Sequence, residues 1–210
     1  MKVKWPALII ILLAFLEGIY YYPKFPAEIA SHWGQYGEVN GYMSKFWGLF
    51  LLPIIILALY VMFVLIPSID PKKQNILKFK NHFDYLIYAI LIFMFYINSL
   101  TIYWNLGHTF NMIVAMVPAM ALLFFFVGVL LSNAEPNWFI GIRTPWTLSN
   151  DVVWKKTHQL GGVLYKISAL ISLLGLLWQS YAFFILIGPI ILSSLYLVVY
   201  SYFEYRKLTK

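Results

Sequence analysis

Apolar residues occur along this chain in six runs of about 20 residues, and polar segments separate the runs. A run of that length can cross the hydrocarbon core of a bilayer as one α-helix. The runs cover residues 5–22, 46–66, 84–104, 111–131, 160–178 and 181–203. Tyrosines rather than a small-residue cleavage site follow the first run, so we expect that helix to be retained. The pattern predicts an all-α polytopic membrane protein with six transmembrane helices.

The composition favours the same fold class. Hydrophobic residues make up 62% of the chain and charged residues 11%, too few to cover a folded surface in water. The net charge of +7 is attributed to loops on the cytoplasmic face rather than to nucleic-acid binding. The sequence has no cysteine, which excludes disulfides, thiolate metal sites and cysteine nucleophiles. No cofactor is predicted.

Lys and Arg are unequally divided between the two sides that six alternating helices create. On one side the N-terminus has two, the second loop four, the fourth loop three and the C-terminal tail three. The other side has two in all, and the remaining cation, Lys166, lies within a span. Because cytoplasmic loops are enriched in Lys and Arg, both termini are predicted to be cytoplasmic. The loop that begins at Asn137 is then cytoplasmic, and the loop around His32 lies outside.

We expect a single membrane domain over residues 1–210. Residues 1–67 would form an N-terminal two-helix unit that carries the outer His32 loop. Residues 68–132 would supply helices three and four. Residues 133–210 would contain the cytoplasmic Asn137 loop and helices five and six.

Three polar side chains fall inside the predicted spans: Glu17, Asn98 and Lys166. An ionisable group inside a membrane is costly and is therefore a candidate for function. Glu17 could take up a proton, bind a cation, pair with Lys166 or reach a wet outer vestibule. Lys166 could pair with Glu17 or extend its stem to the cytoplasmic interface.

The outer loop is rich in glycine and aromatic residues, which favours a folded cap built from tight turns. A metal site is an alternative. Glu28 and His32 are four residues apart, so one helical turn would place both on the same face. Together with Glu38 or His108 they could bind a divalent ion, although no HExxH motif is present.

The Asn137 loop is the longest polar interval of the chain. Gly141, Thr144 and Pro145 are typical of turns. Ser149 or Asn150 can cap a helix that begins near Asp151, with Gly161 and Gly162 marking a bend into the fifth span. Trp154 and His158 would share one face of that helix. Arg143 suits an anion or a carboxylate, and its alternatives are a lipid phosphate or an ion pair with Asp151 or Glu135.

The two loops also resemble the SdpI-type family of membrane proteins. The segment YPKFPAEIASHWGQYGEVNGYMSKFW is similar to that family's N-terminal motif, and NWFIGIRTPWTLSNDVVWKKTHQLGG is similar to its second motif. The segment IDPKKQNILKFKNHFDY resembles the family's second loop. The candidates for motif positions or for contact with a toxin or ligand are His32, Trp33, Gly37, Gly41 and Tyr42 in the first segment, and Asn137, Gly141, Arg143, Thr144, Pro145, Trp146, Asn150, Trp154 and His158 in the second.

The resemblance implies a non-enzymatic immunity protein that protects its producer's membrane from a secreted peptide toxin and signals the toxin's presence. Expected partners are membrane lipid, such a toxin outside and a cytoplasmic regulator inside. The resemblance brings no catalytic residue with it. A small secondary transporter that uses Glu17, Asn98 and Lys166 is an alternative. A membrane enzyme with His158 or His32 as acid or base is another, although no nucleophile or paired-carboxylate motif is present.

Overall fold

The structure, a computed structural model, describes residues 5–208, which form eight α-helices and one β-hairpin. Six helical segments of this described range are long and apolar enough to cross a membrane, which confirms the predicted fold class. The long helices are α1 (Trp5–Tyr21), α2 (Lys45–Ile69), α4 (Lys80–Asn105), α5 (Met112–Asn133), α7 (Asp151–Ser172) and α8 (Ala182–Leu208). The short elements are β1 (Glu28–Trp33), β2 (Val39–Ser44), α3 (Lys73–Lys78) and α6 (Pro145–Ser149).

The long helices pack as two groups of three. Helices α1, α2 and α4 contact one another, α7 lies between α5 and α8, and α4 packs against α5. The outward faces of the first and last helices are apolar, with Leu12 and Leu192 both more than half exposed, as expected for side chains that face lipid. The alternating direction of the helices places the hairpin at one end of the bundle and the Asn137 loop at the other.

The contact between α5 and α7 depends on glycine. A Cβ atom added to Gly162 would lie 2.8 Å from the backbone oxygen of Gly128 and 2.0 Å from Ser132 Oγ. Small residues allow helix backbones to approach this closely in a membrane. Gly161 and Gly162 do not interrupt the helix, since α7 is continuous from Asp151 to Ser172, and Gly162 lies at the crossing with α5.

Helix α2 also extends further than predicted. The apolar run ends at residue 66, but the helix continues to Ile69 with Pro67 inside its last turn. A proline there removes one backbone hydrogen bond close to a terminus, where few bonds remain to be lost. The helix ends at Asp70, whose N–H donates to the carbonyl of Ile66 at 3.0 Å.

The His32 loop folds into the antiparallel hairpin β1–β2, which was not predicted. Ile29 pairs with Met43 and Ala30 with Tyr42, and the register shifts on either side of His32. The helical turn expected over Glu28 and His32 was wrong, because both residues lie on β1. The alternating half-buried and exposed positions of β2 suit a ribbon with one face on the helices.

Candidate functional site

Two asparagine side chains on the helices form hydrogen bonds with the backbone of the hairpin. Asn105, at the end of α4, accepts from the N–H of Ala30 at 2.8 Å and donates to the carbonyl of Ala30 at 2.9 Å. Asn111 caps α5 through Val114 N–H and donates to the carbonyl of Tyr36 at 2.9 Å. These side chains satisfy backbone groups that the edge of a hairpin would otherwise leave unpaired.

Two glycines of the first motif, Gly37 and Gly41, lie where a side chain would clash with a neighbouring residue. Gly37 has φ of +85°, and a Cβ atom there would lie 2.2 Å from Asn111 Oδ1. A Cβ atom on Gly41 would lie 2.9 Å from the Cβ atom of His32. The aromatic residues differ in exposure, because Tyr42 is 65% exposed whereas Trp33 packs edge-on against Trp104.

An apolar cavity of about 290 Å³ lies beneath the hairpin; we call it the hairpin cavity. The strands form its roof, and α2, α4 and α5 form its walls. Its lining includes His32, Trp33, Met43, Trp47, Leu51 and Met116. The buried Nε1 atom of Trp33 has no hydrogen-bond acceptor among residues 5–208. The hairpin cavity thus has a mainly apolar lining, as is typical of a pocket for an apolar ligand group.

The metal candidates do not assemble. Within residues 5–208, no group of three or more His, Asp and Glu side chains could hold a metal ion. The Nδ1 atom of His32 lies 2.5 Å from Asn40 Oδ1, and the His108 ring stacks on Tyr103 at 4.2 Å. Glu28 lies at the start of the strand that carries His32. The two candidate histidines are thus engaged in other contacts.

At the opposite end, buried side chains hold the Asn137 loop together. Asn137 accepts from the N–H groups of Phe139 and Ile140 and donates to the carbonyls of Glu135 and Ile140. Asp70, at the end of α2, accepts from Trp138 N–H at 2.9 Å and from Lys72 N–H at 2.6 Å. One buried carboxylate therefore joins the second loop of the bundle to the fourth.

Thr144 and Pro145 begin α6 rather than a simple turn. Thr144 accepts from Thr147 N–H, while Thr147 Oγ1 accepts from Thr144 N–H, which forms a reciprocal capping box. The hydroxyl of Thr144 also lies 3.0 Å from Ser201 Oγ on α8. Trp146 packs against Tyr202, one residue further along α8, with ring centroids 5.1 Å apart. These contacts fix α6 against the last helix.

Asn150 caps α7 by accepting from the N–H groups of Val152 and Val153, which confirms the expected start of that helix. Trp154 and His158 share a face, as predicted, and their rings stack 3.9 Å apart. Trp154 Nε1 donates to Ala134 O at 2.7 Å, which ties α7 to the end of α5. Both rings are almost fully buried.

The contacts of His158 define its tautomer. Its Nε2 atom accepts from Ile142 N–H at 2.9 Å, so Nδ1 carries the hydrogen and donates to the carbonyl of Trp154 at 2.9 Å. The adjacent Gly141 has φ of +114°. The buried imidazole thus links the loop to α7 through hydrogen bonds at both of its nitrogens. Neither nitrogen is free to act as an acid or a base.

Arg143 is exposed, and its Nη1 atom donates to the carbonyl of Trp138 at 2.8 Å. It forms this bond rather than the ion pair with Asp151 or Glu135 that was one of the alternatives. Beside the loop lies a polar cavity of about 450 Å³, which Trp154 and His158 line together with Lys78, Lys155, Glu135 and Asp151. Arg143 is not part of its lining.

The intramembrane polar residues fall into two separate sites. Glu17 accepts from Asn98 Nδ2 at 2.9 Å and from Ser99 Oγ at 2.9 Å. Lys166 donates to Ser132 Oγ at 3.2 Å, between α5 and α7. The alternative in which Glu17 pairs with Lys166 is therefore wrong, and the three residues of the transporter hypothesis do not form one polar path.

Four residues that link separate segments of the chain were not predicted: Asp70, Asn105, Asn111 and Glu204. Glu204 is buried at the end of α8 and accepts from Lys156 at 2.7 Å and from Lys207. Each of the four joins segments far apart in the chain. The only available signal was a polar residue at the edge of an apolar run, a position where many polar residues have no such role.

Two protein-family models match separate parts of the chain. Residues 133–201 match the SdpI/YfhL protein family, and residues 9–57 match a domain of unknown function, DUF1648. The chain is 28% identical to the protein named "Immunity protein SdpI" of Bacillus subtilis (strain 168) over 209 residues, which are 99% of this chain and 98% of that relative. No solved structure matches the chain. With six spanning helices, the protein is a multi-pass protein of the cell membrane, and it is similar to the SdpI/YfhL protein family over its C-terminal third.

Proposed function

We propose that this protein is an immunity protein that protects the cell that carries it from a secreted antimicrobial peptide, without catalysing a reaction. The observation that carries the proposal is the similarity to the immunity protein of Bacillus subtilis over nearly the whole of both chains. The matched region includes the hairpin, the six helices and the Asn137 loop. Similarity limited to the helices would instead have suggested a shared membrane scaffold.

The hairpin cavity is the proposed contact site for the peptide. The cation distribution predicts that this end faces outside, where an amphipathic peptide first meets the membrane. Tyr36, Tyr42 and Trp47 are each at least half exposed around the hairpin. An apolar side chain of the peptide would enter the hairpin cavity.

The Asn137 loop is the proposed contact site for a cytoplasmic regulator. Its exposed face combines Trp138, Phe139 and Leu148 with the guanidinium of Arg143. Aromatic residues and arginine are enriched in protein interfaces. Because Arg143 also holds the carbonyl of Trp138, Arg143→Ala should impair signalling to a regulator while it spares peptide binding at the other end.

Survival of a toxin-sensitive host tests the proposed function. Cells that express the protein should survive a higher dose of the cognate peptide than cells with empty vector. His32→Ala should weaken protection at equal protein level, whereas His108→Ala, at the same end but outside the lining of the hairpin cavity, should not. If expression protects against no candidate peptide and the purified protein moves a solute into liposomes, the protein is a transporter instead.

A further inference from the structure

The polar cavity beside the Asn137 loop is lined by side chains from three separate segments of the chain. Lys78 comes from the end of α3, Ser132 from the end of α5, and Lys155 from the second turn of α7. Its volume of about 450 Å³ lies in the range of sites that bind small molecules. The proposed immunity function assigns no role to it.

The aromatic part of the lining has no polar atom left for a ligand. Trp154 and His158 are 1% and 2% exposed. Trp154 Nε1 donates to the carbonyl of Ala134, and both nitrogens of His158 are hydrogen-bonded to the backbone. Polar contacts with a ligand must therefore come from the charged side chains around these rings.

The charged side chains of the lining are not paired with one another. Lys78, Lys155, Glu135 and Asp151 are exposed, and none of them forms an ion pair within residues 5–208. Asp151 and Lys155 are four residues apart on α7, a spacing at which opposite charges can pair. Asp151 instead lies at the positive N-terminal end of that helix, which favours its charge. The polar cavity thus offers two ammonium groups and the carboxylate of Glu135 to a ligand.

A third ammonium group approaches the polar cavity from the membrane side. Lys166 donates to Ser132 Oγ at 3.2 Å, and the hydroxyl of Ser132 donates to the carbonyl of Gly128 at 3.0 Å. Because Ser132 lines the polar cavity, Lys166 Nζ is separated from the cavity by one hydroxyl group. Lys166 forms no ion pair in the described part of the chain. An anion in the polar cavity would offset this charge, which is costly inside a membrane.

The polar cavity lies where a spanning helix ends and the next begins. Its lining includes residues 131–136, at the end of the fourth apolar run, and residues from 151–159, directly before the fifth. Lipid head groups occupy this level of a bilayer. A ligand that combines a phosphate with an ammonium group and belongs at this level is an aminophospholipid.

We propose that the polar cavity binds the head group of an aminophospholipid from the leaflet on the side of the Asn137 loop. The phosphate lies among Lys78, Lys155 and Lys166, and the ammonium group pairs with Glu135. The acyl chains remain in the membrane. This site is at the opposite end of the bundle from the hairpin cavity, and it does not depend on the immunity function.

Native mass spectrometry tests the site on the purified protein in detergent that contains a single phospholipid. The wild type should bind phosphatidylethanolamine more tightly than phosphatidylglycerol, which has no ammonium group, or phosphatidylcholine, whose ammonium has no hydrogen to donate. Lys78→Gln and Lys155→Gln should each lower the affinity for phosphatidylethanolamine about fivefold. Glu135→Gln should remove the preference for phosphatidylethanolamine over phosphatidylglycerol. Lys73→Gln, an exposed lysine on α3 that does not line the polar cavity, should bind like the wild type.

Equal binding of the three lipids by the wild type would overturn the proposal, and so would an affinity that both lysine variants leave unchanged. Displacement of the lipid by an equal concentration of glycerophosphoethanolamine, which has no acyl chains, would assign the site to a soluble compound and contradict a lipid site. The substituted residues are exposed, so that these variants should fold. No peptide takes part in these measurements, and their outcome is separate from that of the survival assay.

Discussion

The Nε2 atom of His158 accepts a hydrogen bond of 2.9 Å from the backbone N–H of Ile142, sixteen residues earlier in the chain. This contact closes the Asn137 loop over the start of α7. It requires a close approach, since a Cβ atom on the preceding residue, Gly141, would lie 2.3 Å from the same nitrogen. Two residues of the second motif are thus explained by one contact that stabilises the loop.

Gly141→Ala should destabilise the protein. The substitution places a side chain at φ of +114° and against the imidazole of His158. The backbone conformation alone costs ~1–2 kcal/mol, and the clash adds to it. Thermal unfolding in detergent measures the loss. Gly107→Ala is the matched control, because Gly107 has φ of +98° but no atom within 4 Å of the added Cβ. Equal losses of stability in the two variants would contradict the claim that the contact between His158 and the loop stabilises the protein.

Trp154→Phe should destabilise the protein by ~1–3 kcal/mol, because the buried carbonyl of Ala134 loses its donor. The phenyl ring can still stack on His158, so that the variant isolates the hydrogen bond. Trp138→Phe, at a position 52% exposed, should change stability by less than about 0.5 kcal/mol. A Trp154→Phe variant as stable as this control would show that the bond contributes nothing.

Asp70→Asn should loosen the Asn137 loop. An amide can accept from the N–H of Trp138 or of Lys72 through its single oxygen, whereas the carboxylate accepts from both. We expect faster protease cleavage between residues 133 and 150 in inverted membrane vesicles. Asp151→Asn, an exposed residue at the start of α7, provides the comparison. Cleavage at the wild-type rate in Asp70→Asn would refute the proposed link between the two loops.

The orientation in the membrane can be tested with single cysteines, since the native chain has none. An impermeant thiol reagent applied to intact cells should label Gln35→Cys, in the hairpin turn, and not Ser149→Cys. Both positions are exposed. The opposite pattern of labelling would place the hairpin in the cytoplasm and remove the basis for peptide contact there.

The six spans were predictable because lipid requires a long apolar run for each helix, and the start of α7 was predictable because Asn150 acts only on its own first turn. The hairpin was not. Its anchors, Asn105 and Asn111, lie about 75 residues from the strand and turn they hold. The link from Asp70 to Trp138 likewise spans 68 positions. Spacing along a chain does not reveal such contacts between separate loops.

The central claim, that protection acts through the hairpin cavity, is tested most directly by the dose of peptide that halves survival. The comparison uses Leu51→Trp, which fills the hairpin cavity, and Leu57→Trp, a residue of similar exposure on α2 that does not line it. At equal expression, Leu51→Trp should lower the tolerated dose about tenfold, as a loss of ~1.4 kcal/mol in binding would. Leu57→Trp should protect like the wild type. Full protection by Leu51→Trp would contradict the account.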